Sequence, residues 1–284
     1  MPETSSTPLS RLVRRLDVER LDRDLFLGDP GRGRGRLFGG MVAAQSLVAA
    51  ARTVDEGEVH SLHAYFIRPG QHGVPIQFVV HRIRDGRTFT TRRVVAHQGG
   101  EGIFSLEASF ARAEEGISHQ PPMPAAPGPE GLGEWDLVRP DTTEDHIRRV
   151  EASAIEIRAC DEGGVFHGAD GQPMRRVWTR PRAALPEDPV LHAAMLTYAS
   201  DRGMLSTVGA MHGIASARRQ AASLDHTIWF HRPPRWEGWV FYTTASPAAH
   251  NARALMFGNM YREDGTLMAT IAQEGLVRTA AERR

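Results

Sequence analysis

Apolar positions along this chain fall into two blocks of the same design. Between 36 and 54 it reads RLFGGMVAAQSLVAAARTV, apolar on almost every side of a helical turn, with Gly39 and Gly40 at its head. A helix that is hydrophobic all round is a buried helix. The pattern then changes to strand-like runs: VHSLHAYFI (59–67), PIQFVVHRIR (75–84), TFTTRRVVAHQ (88–98) and GIFSLEASFAR (102–112). Each is rich in β-branched or aromatic residues and bounded by turn formers. RDGR (84–87) and GGEG (99–102) supply the hairpin turns. The order recurs in the second half. EDPVLHAAMLTYASDRGML (187–205) predicts a helix with Asp188 as N-cap and Pro189 at its first position. LDHTIWFHR (224–232), EGWVFYTTAS (237–246), ARALMFGNMYR (252–262) and GTLMATIAQEGLVR (265–278) predict the strands after it. Two further strand runs, 152–160 and 174–181, precede that helix.

The two blocks are offset by 164 residues, matching Phe66-Ile67-Arg68-Pro69 to Phe230-His231-Arg232-Pro233. Between them, the Pro- and Gly-rich stretch 114–134 reads as a linker. One antiparallel sheet curled round one apolar helix leaves a sheet edge and a helix flank exposed; two such units cover each other. The expected class is α+β, two repeats of an antiparallel sheet wrapped round a central helix. The expected division is 10–112, a linker 113–147, and 148–284 carrying the chemistry.

Composition narrows the partners. Of 284 residues, 41% are hydrophobic and 24% charged, and the formal net charge is zero, so nothing global favours nucleic acid or an anionic membrane. One cysteine, Cys160, excludes an internal disulfide framework and fits a reducing compartment. The first residues lack the apolar core of a secretory signal. No stretch approaches the roughly 18 apolar residues needed to cross a bilayer. The expectation is a soluble, cytoplasmic protein with neither nucleic acid nor membrane as partner.

With LFGGMVAAQSL, VHSLHAYFIRPG, RDGRTFTTRRVVAHQ, YASD, LDHTIWFHRP and DGTLMATIAQEGLVR in that order, the chain resembles the acyl-CoA thioesterase II family, TesB-like acyl-CoA hydrolases of double-hotdog fold. The similarity runs from about Leu16 to Arg278 and is weakest in the linker. It implies hydrolysis of an acyl-CoA to a carboxylic acid and CoA, no metal or redox cofactor, and a homo-oligomer. Members of that family use an Asp, a Thr or Ser, and a Gln to hold a water. The matching positions are Asp201 in YASD, Ser223 two residues before Asp225-His226, and Gln273 in IAQEG. The resemblance also points to His60 as a secondary catalytic candidate.

The chemistry asks for the same residue types. Hydrolysis needs a nucleophilic water and a place for the developing oxyanion. A carboxylate accepts the water's proton or hydrogen bond, and a hydroxyl and an amide, which both donate and accept, fix its other directions. Taken singly, each is ordinary: an exposed helix-end acid, a strand-edge hydroxyl, a structural amide. At the repeat offset Ser223 falls near Val59 and Gln273 near Phe110, so one competent site per chain is expected. Gly39 and Gly40 are candidates for backbone N–H groups facing the oxyanion, or for close helix–sheet packing. Arg32, Arg34 and Arg36 in GRGRGR are candidates for CoA phosphate, or a solvated loop.

His60 and His63 are expected on opposite faces of a strand, as are Asp225 and His226, mostly in structural hydrogen bonds. The thirteen scattered histidines show no converging metal ligands, and Cys160 reads as a buried strand cysteine. The rival readings are a hotdog enoyl-CoA hydratase or dehydratase, whose hydration motif is not found, and a non-catalytic acyl-CoA-binding protein.

Overall fold

The structure, a computed structural model, describes residues 7–135, 152–161, 164–168, 171–214 and 219–279. The division expected between 147 and 148 lies outside the described residues. One antiparallel sheet runs through both halves. Its first half contains β1 (Glu19–Asp22), β2 (Leu25–Gly28), β3 (Glu58–Phe66), β4 (Ile76–Asp85), β5 (Phe89–Gln98) and β6 (Glu101–Ala111). The second contains β7 (Ile155–Ala159), β8 (Phe166–His167), β9 (Pro173–Pro181), β10 (Arg219–Ser223), β11 (Asp225–Phe230), β12 (Val240–His250), β13 (Arg253–Arg262) and β14 (Leu267–Thr279). The spatial order is β1-β2-β4-β5-β6-β3-β11-β14-β13-β12-β9-β7, with β10 on β14 and β8 on β9. The two aromatic runs of the repeat are the seam. β3 pairs with β11 antiparallel, Leu62 opposite Ile228, and closes the halves into a double hotdog.

The central helices are α2 (Gly39–Ala51) and α3 (Pro189–Ser200), which pack on each other inside the sheet. Every residue of α2 from Gly40 to Ala50 is buried, as its all-round apolar pattern requires. The predicted caps of α3 are present: Asp188 accepts from Val190 N–H at 2.9 Å and Pro189 opens the first turn. Two polar residues are swallowed with α2. Of these, Gln45 holds the α1 end and the loop after β2 through the carbonyls of Arg15 (2.5 Å) and Asp29 (3.1 Å).

Three differences from the pattern matter. A helix α1 (Pro8–Leu16) and the β1–β2 hairpin precede the first block. The helix carries its own short apolar stripe, Leu9, Leu12 and Leu16, behind Thr7 as N-cap, whereas the hairpin strands, four residues each, are too short for a period to stand out. The helix predicted through 205 stops at Ser200; Gly203 adopts a left-handed conformation (φ 93°), and α4 (Met204–Met211) starts in a new direction. At this φ any side chain would be strained, so glycine suits the corner. Finally, β10 (RQAAS) lacks strand alternation and forms only by lying against β14, Ser223 opposite Gly275.

The described part of the linker, 113–135, lies across the outer face of the second half. Trp178 Nε1 donates to Pro127 O at 2.8 Å and Arg176 to Ala125 O at 2.5 Å. Met123, Ala126 and Leu132 cover an apolar cluster of Trp178, Trp239, Phe241, Tyr261 and Leu267. Among the described residues no helix is long and apolar enough to cross a membrane.

The β12–β13 hairpin closes through Asn251 (φ 49°) and Ala252 (φ 58°). A two-residue turn of this type needs positive φ at both positions, and a Cβ there costs about 1–2 kcal/mol. Glycine adds freedom to the unfolded chain, which offsets part of the gain. Ala252→Gly is expected to raise the unfolding free energy by about 0.5–1 kcal/mol. A urea midpoint that falls instead would contradict the turn.

Candidate active site

Asp201 is the residue after α3, at the corner before Gly203. An acid at the C-terminal end of its own helix is electrostatically misplaced. The N-terminus of α2 corrects this: Gly40 N–H donates to Asp201 Oδ2 at 2.8 Å. The approach is close. A side chain at Gly40 would meet the Tyr198 carbonyl at 2.8 Å, and one at Gly39 would meet the Phe66 ring at 2.5 Å and Asp201 Oδ2 at 3.1 Å. The paired glycines therefore let α2 reach the carboxylate end-on. Despite its charge, Asp201 is only 8% exposed.

Ser223 and Gln273 come from neighbouring strands. Ser223 ends β10, where the chain steps through Leu224 into β11. Gln273 lies in the middle of β14, on the core side of its alternation, and is 0% exposed. Ser223 Oγ donates to Asp201 Oδ1 at 3.3 Å, and Gln273 Nε2 donates to Ser223 Oγ at 2.9 Å. The three predicted polar side chains, far apart in sequence, thus form one hydrogen-bonded row.

The Asp225-His226 pair points to opposite faces, as the strand period predicts, and both members bind the Gln273 segment. Asp225 Oδ1 accepts from Glu274 N–H at 2.6 Å. His226, 0% exposed, sits with Nδ1 2.5 Å from Gln273 Oε1 and Nε2 2.8 Å from Ser200 Oγ. Burial pushes this imidazole below its usual pKa against the opposing pull of Asp201, the Gln273 hydrogen bond and Asp225.

Asp201 and Ser223 open on a cavity of about 470 Å³ at the junction of the halves. Its walls are mostly apolar, with Val42 of α2, Phe66, Ile103 and Phe104 on one side and Leu205, Ala221 and Ala222 on the other. The Phe66 and Phe104 rings pack tilted at 53°, centroids 5.1 Å apart. Gly39 and Gly203, at the starts of α2 and α4, also line it. Gln273 does not; it stands behind Ser223 and reaches the cavity through that hydroxyl.

The other candidates divide. Gly40 spends its N–H on Asp201, because an anion is the natural occupant of a helix N-terminus. Gly39, the first residue of α2, has no acceptor within its own helix. Arg36 lines the cavity. Arg32 lines a separate cavity with Arg11, Arg15 and Arg202, and Arg34 is exposed and lines neither. Arg68, at the close of the repeated aromatic run, lines the cavity too; it contacts Gly102 O at 2.7 Å and Glu101 at 3.3 Å. The repeat itself was the signal for Arg68.

His60 is not brought to this cavity. The irregularity in β3 between Val59 and Ser61 turns His60 onto the outer face, the side of His63, rather than the opposite one. There its Nε2 lies 2.8 Å from Ser109 Oγ and its ring packs edge-on to Phe89. Burial, and then His63, lower its pKa. Cys160 is half-buried, and burial, with Asp161, pushes its thiol up to about 11, which suppresses the thiolate. Among the described residues no group of three His, Cys, Asp or Glu side chains is placed to hold a metal ion.

The far end of the helix pair carries the repeat's counterpart. Val59 and Phe110 face each other across β3 and β6, where Ser223 and Gln273 would map. With Leu47, Ala51, Val190 and Ala193 they line a pocket of about 100 Å³ that Glu58 also touches. Among the described residues no hydroxyl or amide side chain lines it.

Comparison with known proteins agrees with this architecture. The acyl-CoA thioesterase family model matches residues 147–276, and the acyl-CoA thioesterase N-terminal domain model matches residues 29–111. Acyl-coenzyme A thioesterase 8 of Mus musculus is 37% identical, over 93% of this chain and 87% of its own. Acyl-CoA thioesterase 2 of Haemophilus influenzae is 32% identical, over 95% and 98%. The crystal structure of acyl-CoA thioesterase II TesB2 from Mycobacterium marinum superposes with a TM-score of 0.82 at 39% identity, covering 96% of this chain and 99% of that one. Two family models in tandem, relatives similar over nearly the whole chain, and a double hotdog with an acid-lined cavity at its seam lead to one conclusion: this chain belongs to the acyl-CoA thioesterases, a family of thioester hydrolases.

Proposed function

We propose that the chain hydrolyses acyl-CoA by direct attack of a water activated at Asp201. The observation that carries the reading is the meeting of the Asp201 carboxylate and the Ser223 hydroxyl, 3.3 Å apart, on the wall of a largely apolar cavity. The acyl chain occupies the apolar part. The water donates one hydrogen bond to Asp201 and is oriented by Ser223, whose hydroxyl Gln273 holds from behind. As the water oxygen bonds to the thioester carbon, Asp201 takes its proton. The carbonyl oxygen becomes an oxyanion beside the Gly39 N–H at the positive end of α2. Collapse breaks the C–S bond, the proton on Asp201 passes to the departing sulfur, and a carboxylic acid and CoA leave. No covalent enzyme intermediate is needed, in keeping with a suppressed Cys160 thiolate outside the cavity.

The mouth offers two cations, Arg36 and Arg68, for the anionic phosphates of CoA. The apolar pocket at the opposite end lacks the hydroxyl and amide of this chemistry, so each chain works through one site. A single cysteine suits a reducing, cytoplasmic setting.

Asp201→Asn and Asp201→Ala are expected to lower kcat by about 10²–10⁴-fold, the usual weight of a positioned proton acceptor, with unchanged folding by circular dichroism. Free-thiol release from an acyl-CoA at the normal rate in either variant would refute the role. Ser223→Ala is expected to be slow, and Ser223→Thr, which keeps the hydroxyl, to stay near wild type; equal rates in the two would remove Ser223 from the mechanism.

Replacing Arg36 and Arg68 together by Ala is expected to raise KM for acyl-CoA about tenfold with little change in kcat, since exposed charge contacts are individually modest. Arg34→Ala serves as the control and leaves KM unchanged. The opposite ranking, or a KM whose salt dependence survives loss of both arginines, would place the phosphates elsewhere.

A further inference from the structure

We infer that His226 is a positioning residue for the hydrolysis, acting through Gln273; the inference rests on the proposed role of the Asp201–Ser223–Gln273 row. A carboxamide is nearly symmetric in shape. Turned over by 180°, it presents oxygen where it presented nitrogen at little steric cost, so only its partners decide its orientation. At Gln273 those partners are Ser223 Oγ on one side and His226 Nδ1 on the other. Burial keeps the imidazole neutral, so it carries one ring proton. With that proton on Nδ1 it donates to Gln273 Oε1, and the amide must give its N–H to Ser223. Ser223, its oxygen then accepting, turns its own hydrogen to Asp201 Oδ1.

Every donor in the row then points toward the carboxylate, and each bond polarises the next. The reverse orientation would have Ser223 donate to Gln273 and deprive Asp201 of that hydrogen. At the other ring edge, Nε2 lies 2.8 Å from Ser200 Oγ, in the residue directly before Asp201. Ser200 Oγ donates to Thr197 O at 2.9 Å, and with Nδ1 protonated, Nε2 is an acceptor that competes for that single hydrogen. His226 thereby joins the β14 end of the row to the α3 end. It does not line the cavity, so it orients groups without touching substrate.

The test compares three substitutions by kcat, KM and melting temperature. Asn places an amide N–H near the position of Nδ1; Gln places one near Nε2; Leu offers neither. His226→Leu is expected to lose about 10- to 100-fold in kcat, the range for losing an outer partner of a metal ligand, with KM for acyl-CoA within about twofold. His226→Asn is expected to recover most of kcat, and His226→Gln to resemble Leu. A kcat for His226→Leu within about twofold of wild type overturns the inference, as does an Asn variant as slow as Leu at the same melting temperature. If the Leu variant does not fold, the Asn and Gln pair decides by the same ranking.

Gln273→Ala separates the two readings. A normal kcat in that variant sinks the role of Gln273 itself; a slow Gln273→Ala beside a normal His226→Leu sinks only the role of His226. Adding His226→Leu to Gln273→Ala is expected to lower kcat no further, and a multiplied loss would mean that His226 acts by another route.

Discussion

The bond between Gly40 N–H and Asp201 Oδ2 is the contact on which the geometry of the cavity turns. It links the two halves through an awkward group, a carboxylate at the wrong end of its own helix and almost out of water. A buried charge without partners is expensive, and a helix N-terminus is one of the few neutral structures that receives an anion well. The two central helices must therefore meet end to corner, not merely pack side by side. Gly39 and Gly40 allow the approach, Gly203 allows the turn beyond it, and the cavity opens where that junction meets the sheet. The same donor that steadies Asp201 is removed from the set that could face an oxyanion, which leaves Gly39 at the cavity.

Around that contact the molecule is built as a repeat whose two ends differ. The seam between β3 and β11 is nearly symmetric, and α2 packs on α3 beneath it. At one end the equivalent positions hold a hydroxyl and an amide; at the other they hold Val59 and Phe110. The apolar pair fills its end to about 100 Å³, whereas the polar end keeps about 470 Å³. An apolar end costs nothing in desolvation. A second buried acid with its partners would carry that cost without need, once one end suffices.

Much of the fold was legible because its elements obey strong periods. The unbroken apolar run of α2 fits only a buried helix, and the alternation in 59–112 and 224–278 fits only half-buried strands. The parts that were not legible are those that another segment imposes. β10 is a strand because β14 lies beside it, and the helix that the sequence would carry through 205 is interrupted where Gly203 turns left-handed. The irregularity in β3 shifts His60 to the outer face, and nothing in a two-residue period announces such a shift.

For the candidate site, the resemblance to the acyl-CoA thioesterase II family, carried by the ordered motifs, pointed to Asp201, Ser223 and Gln273, and the repeat offset pointed to the absence of their counterparts in the first half, because residue type survives in a linear reading. Which of them touches the cavity, which stands behind, and which donor points where were decided only by the packing of β10, β11, β14 and the end of α3. Hydrogen bonds at 2.5–3.3 Å depend on distances between chain segments that sequence separation does not encode. His226 is the clearest case. As a letter in a strand it is one of thirteen histidines; enclosed between Gln273 and Ser200, it becomes the group that sets the direction of the row.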